Sequence, residues 1–221
     1  MPPRFVVLGW TRGLRSSRRV LGRYKGVWEL RDVFGVSRLS KAARGLLVFE
    51  VVDRVDSGTW FLVSFDFKGV KATREYSEIK ESMFWSLCGR LDNSTYICPY
   101  DASDIPLAYT PYVEVLPVKP YNERARIATA IAVKRALEWV VTETLKAGAK
   151  LRGRGVRRAR RISSMLDGLL GAQWIQKVEK LIGGALQELS NAKSKLEEEL
   201  QNSSLRAQNA LIMAIAQPPK H

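Results

Sequence analysis

Histidine is almost missing from this chain: the single one is the last residue, His221. That excludes a histidine-based catalytic pair and, with only two cysteines, any recognisable zinc spacing. The cysteines, Cys88 and Cys98, lie ten positions apart beside Trp85, Leu87 and Ile97. Such apolar neighbours predict two buried thiols, with a disulfide between neighbouring elements as the alternative. Cysteines left as thiols predict a cytoplasmic protein. No run of about 18 uncharged apolar residues occurs, so no transmembrane helix and no membrane partner are expected. The apolar stretch at 5–9 is too short for a signal-peptide core. A glycine-rich phosphate loop and a dinucleotide fingerprint are both absent. No cofactor, no resident metal and no catalysis are expected.

Acid is also in short supply. Lys and Arg number 36 against 22 Asp and Glu, giving a net charge of +14. That excess favours a polyanionic partner, and nucleic acid first. The charge is segregated rather than spread. Residues 1–57 carry a net +7 and residues 121–172 a net +8, while the stretch 58–120 between them is slightly acidic. A charge that served solubility alone would need no such zoning.

The pattern of apolar residues predicts an α+β chain in three parts. Residues 1–120 form an α+β domain. Residues 121–172 form a helical segment containing an Arg-rich linker. Residues 173–221 form a helical tail. Strands are expected at 5–10, 48–55, 60–67, 94–98 and 112–118, the last at a sheet edge or ending early because Pro117 interrupts it. Helices are expected at 27–34, 38–47 and 73–88, the last closed by Gly89. Residues 11–26 fit a basic loop or a poorly formed amphipathic helix. A long helix from Glu123 to Gly148 is predicted to bury Ile127, Ile131, Val133, Leu137, Val140, Val141 and Leu145. The helix is expected to resume only at Ile162, after a basic connection.

The tail shows alternating steps of four and three from Ile182 through Leu186, Leu189, Lys193, Leu196 and Leu200. So narrow a stripe predicts pairing with a second helix, hence a homo-oligomer, or packing back on the chain's own domain. Gly183 and Gly184 are its weak point.

Lys150, Arg152, Arg154, Arg157, Arg158, Arg160 and Arg161 place seven cations in twelve residues. Guanidinium forks match phosphate oxygens two at a time. Displacing that many counterions predicts binding that falls steeply with salt. A second group, Arg12, Arg15, Arg18, Arg19 and Arg23, sits beside Trp10, Tyr24 and Trp28, rings that could stack on bases. Trp60, Phe61 and Trp85 lie in strand and helix patterns and are expected in the core. A helix-turn-helix over 27–47 would offer Arg38, Lys41 and Arg44 to a groove, although its register suits a reading helix poorly. The chain is therefore expected to bind DNA or RNA without turning it over.

The stretch Trp60-Phe-Leu-Val-Ser-Phe-Asp66, the helix closing on Phe84-Trp-Ser-Leu-Cys-Gly89, and the strand Ser94-Thr-Tyr96-Ile-Cys98 together resemble the opening of the Cas2-like ferredoxin domain, which PaaX-type regulators also carry. The likeness implies a ferredoxin-like sheet. It also raises a metal-dependent nuclease as an alternative, with Asp66 at the position proposed to hold metal and Asp101 or Asp104 as possible companions. The layout of a basic aromatic domain before a zipper also looks like ThermoDBP-type archaeal single-strand DNA-binding proteins. A structural subunit of a nucleoprotein assembly is the third alternative.

Overall fold

The β-branched and aromatic runs of the N-terminal half become strands, and the 3.6-residue period after position 120 becomes helix. The computed structural model describes residues 4–8, 17–21, 27–30, 47–65, 72–92, 95–100, 113–151 and 154–216. Among these are eight strands: β1 (Arg4–Leu8), β2 (Ser17–Leu21), β3 (Val27–Leu30), β4 (Leu47–Val51), β5 (Trp60–Phe65), β6 (Gly89–Asp92), β7 (Thr95–Cys98) and β8 (Val113–Pro120). Five helices accompany them: α1 (Ala72–Trp85), α2 (Glu123–Gly148), α3 (Arg154–Gly171), α4 (Ile175–Ile182) and α5 (Ala185–Ala216). The α+β class and the helical C-terminal half are as the sequence predicts.

One antiparallel sheet runs in the order β2-β3-β1-β4-β8-β5-β7-β6. Its last four strands, with α1 crossing from β5 to β6, have the order of a split βαβ, ferredoxin-like unit. The hairpin β2–β3 is a correction, because a basic loop or helix was expected at 11–26 and a helix at 27–34. Pairing of Val27 to Leu30 with β1 overrides a weak local helix pattern, as the β-branched and aromatic residues there allow. With a strand at 27–30, the first helix of a helix-turn-helix is lost. Pro117 lies in an interior strand, not at an edge. Its carbonyl accepts from Val52 N, so its donorless nitrogen also faces the β4 side, past the last β4–β8 pair at Val51↔Val118.

The two faces of β5 bury different partners. Phe61 and Val63 pack with Ile79 and Met83 of α1 and with Tyr96 and Cys98. Trp60 and Leu62 point to the other face, where α2 and the later helices complete the larger core. Trp60, Phe61 and Trp85 are buried, as expected. Cys88 and Cys98 form a disulfide, which corrects the expectation of thiols. Apolar surroundings suit a disulfide as well as a thiol, and the pairing of β6 with β7 brings the two residues together. The cytoplasmic expectation, which leaned on thiols, loses that ground. Among the described residues no helix is long and apolar enough to cross a membrane.

Gly89 does not cap α1. Leu87 takes the left-handed conformation (φ 55°), and Cys88 N donates to Met83 O while Leu87 N donates to Phe84 O. That closes the helix in the manner of a Schellman motif, with a buried leucine in the usual glycine position. Gly89 serves a different purpose. A Cβ there would meet the backbone of Ala132 at 2.3 Å, so α2 can cross β6 closely only over a glycine.

α2 starts against β4. The Asn122 side chain accepts from Ala125 N at 2.9 Å and from Val48 N at 3.2 Å, capping the helix and tying it to the strand. Its inner face is Ala125, Thr129, Ala132, Val133, Ala136, Leu137, Val140, Thr144 and Ala147. Ile127, Ile131 and Leu145 point outward, against expectation. Small residues let the helix sit close to the sheet, so the buried stripe follows alanines rather than the largest side chains.

Lys177 of α4 donates to Thr59 O and, at 2.7 Å, to Pro99 O, and its ammonium lies 5.5 Å from the Trp60 ring centre. Burial pushes its pKa down, opposed by the charge of Asp56. Gly183 and Gly184, both at positive φ, end α4, and the Glu179 carboxylate then accepts from Gly184 N and Leu186 N, each at 2.8 Å. Those backbone bonds pull the Glu179 pKa down. The first half of α5 packs back on the chain, burying Ala185, Leu189, Ala192 and Leu196. Lys193, the polar step in that seam, sits 3.0 Å from both Asp167 and Glu197, which push its pKa up. Residues 204–209 are exposed, and Leu205 is 55% accessible.

Candidate nucleic-acid interface

Helix α3 begins at Arg154, so most of the basic run is helical rather than a connection. The sign of that helix is a second stripe, Ala159, Ile162, Leu166 and Leu169, whose steps of three and four reach back before Ile162. These four are buried, and they turn the arginines outward. Gly155 permits the tight entry, since a Cβ there would lie 1.9 Å from the Lys150 carbonyl oxygen.

Arg154, Arg157, Arg160 and Arg161 are exposed on the side opposite the buried stripe. They span about two turns, roughly 10 Å along the axis. Among the described residues none of these four has an ion-pair partner, whereas Arg158 is 3.2 Å from Glu143. Lys146 shares the same carboxylate, at 2.9 Å. Lys150 is exposed at the end of α2.

The first turn of α3 contains no acidic residue. Arginines stand where the free N–H groups and the macrodipole already make the field positive. This arrangement disfavours the isolated helix and favours a bound anion.

The other expected residues fall differently. Arg18 and Arg19 lie on β2 and Trp28 on β3, at one end of the sheet. Arg12, Arg15, Arg23, Arg38, Lys41, Arg44 and Arg152 lie outside the described residues, as do Trp10, Tyr24, Asp66, Asp101 and Asp104. α2 starts at β4, crosses β6 at Gly89, and packs on α3 with its C-terminal half. The arginine face of α3 is thus on the β6 side, and β2 is the opposite edge. Across eight strands the two edges are about 30 Å apart.

A cleft of about 660 Å³ separates α1 from α3, and it was not anticipated from the sequence. Glu78 and Glu81 stand on one wall and Arg158 and Arg161 on the other, with Trp85, Met165 and Trp174 among the apolar lining. Trp174 also stacks on Tyr100, with ring centres 5.3 Å apart. No local pattern marks Trp174, because its setting depends on how α1, α3 and α4 converge.

Among the described residues, no group of three or more His, Cys, Asp or Glu is placed to hold a metal ion. No family model and no curated protein matches the chain, so what the site can do is argued from its geometry.

Proposed function

We propose that the protein binds DNA or RNA through the phosphate backbone and does no chemistry on it. The carrying observation is the N-terminal half of α3, where Arg154, Arg157, Arg160 and Arg161 are exposed together with no acidic partner among the described residues. Four cations at the positive end of a helix form a site for several phosphates rather than for one small anion.

The projecting part of α5 supports self-association. Residues 204–209 leave the core while the helix continues, and Leu205 is exposed. Pairing of such tails would join several weak backbone sites and raise the avidity.

Binding isotherms on single- and double-stranded DNA and RNA at several salt concentrations test the proposal. The slope of log K against log salt should correspond to about four phosphates, near −3 to −4. No binding to any of them at low salt overturns it.

A further inference from the structure

We infer that the cleft between α1 and α3 takes one unpaired nucleobase from the strand whose phosphates lie along α3. The inference rests on the backbone-binding role proposed for α3 and adds a second, uncharged half to that site.

Three observations carry it. The first is continuity: Arg161 belongs both to the exposed arginine face and to the cleft wall. A phosphate held by Arg157 or Arg161 would leave its nucleoside at the mouth of the cleft. The volume of about 660 Å³ falls in the range of small-ligand pockets. Its lining combines Trp174 and Met165, both partly exposed, with a few polar groups at the rim. A flat aromatic ring suits such a lining.

The second is the distribution of charge across the cleft. Glu78 and Glu81 face the arginine-bearing wall from α1. Carboxylates repel phosphate, so the backbone must stay on the α3 side and only the neutral base can enter. Carboxylate oxygens are also hydrogen-bond acceptors, and Glu81 offers them on this wall. They favour a base with an exocyclic amino group, guanine, cytosine or adenine, over thymine or uracil.

The third is Gly168. It lies inside α3 on the cleft lining, it is exposed, and a Cβ placed there would meet nothing within 4 Å. A mid-helix glycine costs about 1 kcal/mol relative to alanine. Here no close packing and no positive φ explains it. What it does is leave the cleft wall without a side chain.

The test compares oligonucleotides of equal length and charge that differ only in their bases, as DNA and as RNA. The wild-type chain should bind oligo-dC or oligo-dA more tightly than an abasic strand, by roughly 5- to 150-fold, the range one stacked base provides. Gly168→Leu should narrow the cleft at the wall that the glycine leaves bare. It should bring binding of oligo-dC down to the abasic level while leaving the salt slope unchanged. Circular dichroism melts would show whether the variant is folded, and the abasic comparison on the wild-type chain stands without it. Equal affinity of the wild type for abasic and base-bearing strands overturns the inference and leaves the backbone-binding role intact. Failure to bind any strand at low salt overturns both.

Discussion

Glu143 Oε2 lies 3.2 Å from Arg158 Nη2 and withdraws that one arginine from a group otherwise without an ion pair among the described residues. Both side chains reach solvent, so the pair adds little to stability, on the order of 0.5 kcal/mol. Its effect on binding is larger. Glu143→Gln should free Arg158 for phosphate and steepen the salt slope by about 0.7 to 0.9. Isotherms at four salt concentrations would measure this, and an unchanged slope would show that Arg158 faces away from the strand.

The arginines at the start of α3 carry a cost that can be measured without any ligand. Arg157→Gln should weaken binding, again with about one unit less slope, and raise folding stability by about 0.3 to 1 kcal/mol as repulsion at the helix N-terminus is relieved. Urea unfolding alongside binding tests both halves. A destabilised variant would show that Arg157 supports the fold instead.

Two glycines of α3 should respond in opposite directions to alanine. Gly155→Ala places a methyl 1.9 Å from the Lys150 carbonyl, a backbone atom that cannot swing aside. A loss of more than about 2 kcal/mol is expected. Gly168→Ala meets nothing and should gain about 0.5 to 1 kcal/mol. Thermal or urea unfolding distinguishes them, and equal effects would contradict the placement of the α2–α3 turn.

Asp56 offers a pH signature. Lys119 at 2.6 Å, followed by Gly58 N–H and the Thr59 hydroxyl, holds its carboxyl pKa at about 2. The folded value is depressed, so the stabilisation is complete above the unfolded value near 3.9 and is lost as pH falls through about 2. An NMR titration of the Asp56 carboxyl should show that low midpoint, and Lys119→Met should raise it. A midpoint that stays low without Lys119 would assign the shift to the turn itself.

Legibility in the sequence followed the range of the interactions. The strands 60–65 and 95–98 and the helices 72–85 and 123–148 were readable because each carries its own period or bounded apolar run. β2, β3 and β6 were not, since a strand of four or five residues is fixed by its neighbours, and β6 is read only once α2 packs on Gly89. The outward turn of Ile127 and Ile131 was hidden for a similar reason: which face of α2 is buried depends on how closely the sheet approaches it. The α3 arginines were visible as charge, but not as the face of a helix. Glu143, Gly168 and Trp174 became relevant only through partners 15 or more residues away or through the cleft they border. The disulfide was one of two readings, and only the β6–β7 pairing decides it.

The last sixteen residues of α5, after Leu200, extend about 24 Å at 1.5 Å per residue. A rod of that length acts as a spacer. If two copies join by their projecting ends, it keeps their arginine faces farther apart than the roughly 10 Å over which charges feel one another at 0.1 M salt. Neither face would then feel the charge of the other, although both could hold one strand. The length of a helix, rather than any contact with nucleic acid, would set how many nucleotides lie between one grip and the next.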